Sequence, residues 1–576
     1  MTFNNLERAR RYHEHTKHNF NQYARSLGYM DWANQPDPFR RYEGAPLVSL
    51  PLLNPDEEPT SPSYDNLFRP HVISPQPLTI NSLSRFFEYA LSITAWKEYG
   101  GNRWALRSNP SSGNLHPTEG YLIVGEIPEV GLAPGLYHYA PKEHALEQRL
   151  RCSSEAIHRL TAPFPSQTCF VGLSSIHWRE AWKYGERAFR YCQHDIGHAI
   201  GTLRIAAATL GWKMLVLSET SDDTLSTLLG LDRHDDFVDS EKEYPELVAA
   251  LWPEPSCPPT ELPLGLDQIA VNNLAQGTWQ GKANRLSRDN PVPWEIIDEV
   301  AEATWRSIGK PALVTFSSSP LSSHVQAEKK SSHEVSAGQM IHQRRSAVEF
   351  DGRTGISAQR FFHMLTRIMP HGMLPIEQRP MPWDCVLWNP AIHLALFVHR
   401  VDGISPGLYF LIRDSSPEKF AELKAAMQEQ FLWTKPESCP TDLPLYLLEE
   451  GNAQKIAIQV SCWQEIAGAS AFSSGMIAEF DQTLATHGSW AYRRLFWETG
   501  LIGQILYLEA EAGGVRATGI GCFFDDPVHK VFGFYPQTTY QSLYHFTVGG
   551  PIEDTRLTTL PPYGDRVKER SDIETA

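Results

Sequence analysis

Cationic surface is what this chain has least of: its formal net charge is −16, and no block of Lys or Arg interrupts the sequence. A phosphate lattice needs a basic face, so nucleic acid is excluded as a general partner and an anionic membrane surface is disfavoured. A local basic pocket for one phosphate is still allowed. Long apolar runs are missing too. No stretch approaches eighteen consecutive apolar residues, and MTFNNLERARRYHEHTKH has no apolar core of signal-peptide length, so the expectation is a cytoplasmic protein without a membrane partner. The eight cysteines (Cys152, Cys169, Cys192, Cys257, Cys385, Cys439, Cys462 and Cys522) form no CxxC pair, which excludes a disulfide scaffold and suggests thiols mostly buried in a reducing compartment. No GxGxxG stands in a strand–helix setting, so a dinucleotide-binding fold is not expected.

What is present is ordinary globular composition, 41% apolar and 20% charged, over 576 residues, enough for two large domains. The chain repeats itself. GERAFRYCQHDIGH, from Gly185, and GSWAYRRLFWETGL, from Gly488, open two segments that align without a gap at an offset of 303. Arg190 meets Arg493, Gly197 meets Gly500, Gly211 meets Gly514, Asp222-Asp223 meets Asp525-Asp526, and Gly230 meets Gly533. Upstream, APGLYHY (133–139) echoes SPGLYFL (405–411). Ile196, Ile200, Leu203 and Ala207 recur at helical spacing, which predicts a long helix in each copy, capped near Gly211 or Gly514 and followed by a strand and a small helix. The GLY segments read as strands. Each half is therefore expected to be α+β, helices packed on a sheet.

Residues 1–80 read as an extension, a polar helix to about Leu27 followed by Pro-punctuated loop. The expected domains span 81–315 and 338–576, joined by a Ser-rich linker at 316–337, with a helix near Trp294–Ile308 closing the first half.

Two stretches occur in one half only. RSNPSSGNLHPTEGYLIV (107–124) puts Pro110, Ser111, Ser112 and Asn114 in a turn whose N–H groups and hydroxyls can meet a planar polar ligand; taken alone it is equally a surface turn before a strand. HQRRSAVEFDGR (342–353) offers Arg344, Arg345 and Ser346 as a phosphate clamp, or else a solvated helix end.

Together with KYGERAFRY (183–191) and GIGCFFDD (519–526), these stretches resemble the flavin-binding elements of nitroreductase-like FMN proteins, and most closely the SagB/ThcOx-type dehydrogenases, which include azoline oxidases. YHEHTKHNF (12–20), DWANQPDPFRRY (31–42), WQGKANRLS (279–287) and YHFTVGGPIEDTRL (544–557) resemble the same branch. The resemblance implies tandem domains, each an antiparallel-rich sheet flanked by helices, forming a dimer-like pair within one chain; a further homodimer is allowed. It also implies FMN held between the halves. The first half keeps Pro110, Ser111, Ser112 and Asn114; the second keeps Arg344, Arg345, Ser346, Gly519, Ile520, Gly521 and Arg556. Each half lacks what the other keeps: Val216-Leu217-Ser218 replaces the Gly run, and MPWDCVLWNPAIH (381–393) replaces the turn. One complete composite site is thus expected. On this resemblance Arg344 and Arg556 bind phosphate, Arg345 or Ser346 the pyrimidine edge, and backbone N–H near Gly521 faces N5.

Lys183 and Tyr184 match the Lys-Tyr pair of azoline oxidases, with Lys183 as base and Tyr184 as hydrogen-bond partner, or an ordinary surface Lys beside a packing Tyr. The implied activity is dehydrogenation of a small or peptide-derived heterocycle, with O2 reoxidising the flavin. The alternatives are an NAD(P)H-dependent nitro or quinone reductase, or a flavin-free scaffold that binds a peptide. His13, His15 and His18 fit no closed metal-ligand set and read as an exposed segment. The Asp-Asp pairs read as helix N-caps. His116 and Glu119 either touch substrate or fix the turn.

Overall fold

A computed structural model describes residues 4–54, 56–254, 260–290, 292–307, 309, 312–316, 335–371, 374–534 and 539–564. Most of the expected linker, residues 317–334, lies outside them.

The repeated segments become two 22-residue helices, Ala188–Thr209 and Ala491–Ala512, closed by the left-handed Gly211 and Gly514. Short strands Trp212–Val216 and Arg516–Ile520 follow, then helices Asp222–Leu229 and Asp525–Val531. Both GLY segments are strands, Gly135–Ala140 and Gly407–Leu411. The helix expected near 294–308 runs Glu295–Ala303.

Each half is α+β, built on an antiparallel sheet with the same strand order. In the first the path runs Ala145–Arg151, Gly135–Ala140, Thr118–Val124, Cys169–Ser175, Tyr244–Pro253, Trp212–Val216. In the second it runs Leu445–Glu450, Gly407–Leu411, Ile392–Val398, Phe472–Ala478, Gln541–Gly549, Arg516–Ile520. The first sheet extends by two more strands, Leu47–Ser49 and Thr278–Trp279.

The two long helices cross at Gly197 and Gly500. A Cβ on either would stand 2.7 Å from the other's Cα, so only glycine permits this approach. Around the crossing the contacts obey the sequence offset. Arg190 Nη1 donates to Asp525 Oδ1 at 2.7 Å, and Arg493 Nη2 donates to Asp222 Oδ2 at 2.6 Å. When residue i of one half meets j of the other and their equivalents meet in turn, the contact has twofold, dimer-like logic. One continuous apolar core, including Phe87, Leu203, Leu501 and Phe546, spans both halves, with a separate cluster on the far face of each sheet.

The carboxylates thus correct one expectation. Ser221 caps its helix with its own hydroxyl, while Asp222 and Asp525, the first helical residues, are buried anchors between halves. The N-terminal segment corrects another. Its helix is only Asn5–His15, and it is only partly exposed: His15 lies at the surface, while Tyr12, His13 and His18 are buried where the halves meet. Tyr12 Oη donates to Glu186 O at 2.7 Å, His13 Nδ1 stands 3.3 Å from Tyr492 Oη, and the N–H of His18 donates to Asp525 Oδ2 at 2.8 Å. The three histidines turn to three different partners, and no group of three potential metal ligands occurs among the described residues. No described helix is long and apolar enough to cross a membrane.

Candidate functional site

The chain reverses into the Arg-Arg-Ser segment directly after helix Ala337–Gln343, and lays Ser346 beside Ala517 as a parallel bridge. That placement brings Arg344–Ser346 to the strand that ends in Gly519-Ile520-Gly521. Tyr507, from the long helix, joins them: its Oη is 2.9 Å from Ser346 Oγ and accepts the N–H of Gly519 at 3.0 Å.

Arg344 is buried. Its Nη2 donates to Arg107 O at 3.0 Å, three residues before Pro110, while Nε and Nη1 have no protein partner. A buried guanidinium with three unused N–H donors on two nitrogens is costly unless an anion meets it. Burial lowers its pKa, and burial followed by the charge of Arg344 takes Arg345 to about 10. Arg345 Nη1 donates to His342 O and Arg344 O at 2.8 and 2.7 Å, and to Thr94 Oγ1 at 3.3 Å. Lys97, on the same first-half strand as Thr94, feels both Arg345 and Arg516. The donor set, a cationic cluster around unpaired buried N–H groups, fits a phosphate such as that of FMN.

The Gly run is tightly faced. A Cβ on Gly519 would lie 1.9 Å from Tyr544 Oη, and one on Gly521 2.1 Å from the Tyr191 ring. The Ile520 side chain points to the far face of the sheet, in the cluster with Phe397 and Phe532, so only its backbone is available here.

From the other half, Gly113 and Asn114 take left-handed φ of 58° and 60°, as does His116 at 53°. The Ser112 N–H and Oγ both donate to Asp195, at 3.1 and 3.0 Å, and Ser111 Oγ accepts the N–H of His116 at 2.8 Å. Asn114 is spent on the turn itself: Nδ2 donates to Ala105 O, and Oδ1 meets His116 Nε2 at 3.1 Å. His116 therefore fixes the turn, and Glu119 is locked in a buried network with Arg179 and His138. Pro110 is buried beside them.

Lys183 and Tyr184 end helix His177–Tyr184 directly over this turn. A Cβ on Gly113 would meet Tyr184 Oη at 2.6 Å and Lys183 Nζ at 3.1 Å. Tyr184 packs 4.5 Å from Tyr191, which faces Gly521, so the Lys-Tyr pair, the turn and the Gly run are contiguous. Burial, then the charge of Glu180, raises the Tyr184 pKa well above its ordinary value, so its phenol stays protonated. Arg556 is exposed, pairs with Asp554 at 2.8 Å and lies 5.8 Å from the Tyr99 ring, on the tail whose strand Thr558–Leu560 pairs with the strand of Thr94 and Lys97.

The equivalent position across the pseudo-twofold is occupied by other side chains, around a small cavity of about 190 Å³ bordered by Trp383, Trp388 and Glu498. Trp383 and Cys385 are buried, and Asp384 holds Arg204 bidentately at 2.9 and 2.6 Å.

Sequence reasoning missed Tyr191, Tyr507, Tyr544 and above all Asp195. Its signal was present: the repeat aligns Asp195 with Glu498, which the structure neutralises with Arg413. Asp195 has only Ser hydroxyls and an N–H, and burial, opposed by those hydrogen bonds, raises its pKa to about 7. Neighbouring Glu180 is buried with both oxygens unpartnered, and its pKa is raised as well, by burial and then by Asp195.

A folded-state pKa above the unfolded value gives stability that is full below about pH 4 and lost as pH rises through 7. Asp195→Asn keeps acceptors for Ser112 but does not ionise. Melting temperatures from pH 5 to 8 are expected to fall less for the variant than for the parent, closing a gap of up to about 3 kcal/mol over that range. Parallel curves would remove Asp195 as a group titrating near neutrality.

Residues 74–239 match the model of the nitroreductase family. The matched stretch holds the Pro110–Asn114 turn, Lys183, Tyr184 and Asp195. MJ1384 of Methanocaldococcus jannaschii, which bears a provisional nitroreductase name, is 26% identical over 179 residues, 30% of this chain and 79% of that one. The trifolitoxin-processing protein TfxB of Rhizobium leguminosarum is 29% identical over 168 residues, 27% of this chain and 44% of that one. A crystal structure from Anabaena variabilis, again provisionally named a nitroreductase, has a TM-score of 0.63 at 19% identity and covers 95% of this chain and 99% of its own. The shared fold therefore extends past the matched residues and through the second half.

Proposed function

We propose that this chain is an FMN-dependent dehydrogenase of the SagB/ThcOx type, with one flavin site built across both halves, acting on a thiazoline- or oxazoline-type ring in a peptide-derived substrate. The observation that carries the reading is Arg344, buried with two guanidinium nitrogens unpaired, between the Gly519–Gly521 strand end and the strand that leads into Pro110. The similarity to a trifolitoxin-processing protein supports a peptide-derived substrate over a free nitro compound.

Arg344 and Arg345 would hold the phosphate, and Ser346 with the backbone of the Gly run the polar edge of the ring. Bound FMN would supply a two-electron acceptor for the hydride leaving the azoline carbon. The chain's own part is to orient the ring and take the proton. Lys183 accepts that proton, and protonated Tyr184 donates a hydrogen bond beside it. Asp195 acts one step back, as a positioning residue that fixes the Ser112 end of the turn.

Flavin released from the purified chain and counted tests this directly. One FMN per chain is expected, lost in Arg344→Ala. Two per chain, or none after reconstitution, would overturn the single composite site. On the loaded protein, Lys183→Ala is expected to slow azoline oxidation by roughly 100-fold or more; full turnover would sink its role as base.

A further inference from the structure

Of the seven described cysteines, two meet. Cys522 Sγ stands 3.0 Å from Cys462 Sγ, about 1 Å beyond a disulfide bond length. The two residues come from different elements. Cys462 follows helix Gln454–Val460, and Cys522 is the residue after Gly521 at the strand end. Two hydrogen bonds hold the segments together: the Phe524 N–H to Val460 O, and Gln464 Nε2 to Cys522 O, both at 2.9 Å.

The backbone that presents Cys462 is strained. Cys462 and Trp463 take consecutive left-handed φ values of 54° and 61°, a conformation that costs a non-glycine residue on the order of 1 kcal/mol or more and persists where the surroundings enforce it. Neither thiol is sealed in the core. Both are half-buried, beneath a rim of Tyr23, Phe20 and Trp463, which are themselves 50%, 46% and 57% exposed. The cation of Arg187 is close, since its Nη2 donates to Gly521 O at 3.3 Å.

We propose that Cys462 and Cys522 are a reversible disulfide-forming pair, oxidised by hydroperoxides, with Cys522 as the attacking sulfur and Cys462 as the resolving one. The Cys522 thiolate attacks the terminal peroxide oxygen and breaks the O–O bond. The alcohol or water leaves with one proton, and Cys522 becomes a sulfenic acid. The Cys462 sulfur then attacks the Cys522 sulfur, breaks its S–O bond and releases water. Two thiols lose two electrons and two protons, and one hydroperoxide is reduced to alcohol plus water. The polarity follows the environment: the contact with Cys462, and then Arg187, lower the Cys522 pKa against burial, whereas the same contact and burial raise that of Cys462. A crosslink here would tie the end of the Gly run to the Cys462 loop. The proposal is independent of flavin binding.

The test is full-length protein exposed to one equivalent of hydrogen peroxide, digested without reductant and analysed by mass spectrometry. A peptide linking Cys462 to Cys522, reversed by dithiothreitol, is expected. In Cys462→Ser, dimedone is expected to label Cys522; in Cys522→Ser, Cys462 should stay unlabelled. Absence of the 462–522 peptide, with Cys522 oxidised to sulfinic acid or left as free thiol, would overturn the pair. Labelling of Cys462 instead would overturn the assigned order of attack.

Discussion

Gly500→Ala, a change of one methyl group, is expected to lower stability by about 3 kcal/mol or more, and Gly500→Val to prevent the native packing of the halves. The new Cβ would sit 2.2 Å from His194 O, 2.7 Å from Gly197 Cα and 2.8 Å from His198 N. All three are backbone atoms of a buried helix, so no rotamer change relieves them and the helices must part. Parting them costs contacts along two buried 22-residue helices in the shared core. Gly197→Ala makes the reciprocal clash, with Trp497 O at 2.2 Å, and should cost a similar amount. Because both substitutions open the same crossing, the double variant is expected to lose less than the sum. Apparent melting temperatures of the three variants check this; an unchanged Gly500→Ala midpoint would mean the helices do not cross there.

The same helices show what a sequence can disclose. Their length and glycine stops follow from local periodicity and backbone sterics, and the GLY strands from short-range pattern. The Pro110–Asn114 turn and the Arg344–Ser346 segment were visible because each stands in one half only. What was not visible depends on contacts between distant segments. The Tyr12–His18 stretch reads as polar and solvated, yet Tyr492, Glu186 and Asp525 satisfy its polar groups at the junction of the halves. Asn114 looks like a ligand donor until the carbonyl of Ala105 claims its amide. Asp195 lies within a helix whose periodicity marks it only as buried. Its lack of a cation becomes informative once Glu498 is seen paired with Arg413. Tyr507 and Tyr544 read as core aromatics and carry no local pattern that marks a site.

The break in the pseudo-twofold carries the second large prediction. Asp525→Ala is expected to cost about 3–5 kcal/mol at pH 7, and Asp222→Asn far less, although the two carboxylates occupy equivalent places. Asp525 accepts from Arg187 at 3.0 Å, from Arg190 at 2.7 Å and from the His18 N–H at 2.8 Å. Asp222 accepts from one guanidinium, Arg493, and from the Arg306 N–H at 2.7 Å. Burial pushes both pKa values up. At Asp525 the two arginines outweigh it and hold the carboxyl well below the usual range, whereas at Asp222 burial wins and the pKa is raised. A depressed pKa gives stability present above the unfolded value near pH 4 and lost as pH falls through the folded one; a raised pKa gives the reverse. The cost of Asp525→Ala should therefore shrink on acidification below about pH 4, while Asp222→Asn becomes relatively more harmful there. Urea midpoints at pH 7, 4 and 2 check both signs, and equal losses at pH 7 would refute the asymmetry. Its origin is a single difference: the repeat places Trp490 where the first half has Arg187. Arg187 is also the residue that holds Gly521 O, four positions before Asp525, so the extra ion pair lies on the side of the molecule that keeps the Gly run, the Lys183-Tyr184 pair and the unpaired guanidinium of Arg344. The interface is reinforced on the side of the candidate site, and relies on one arginine on the other, where Trp383 is buried and Asp384 holds Arg204.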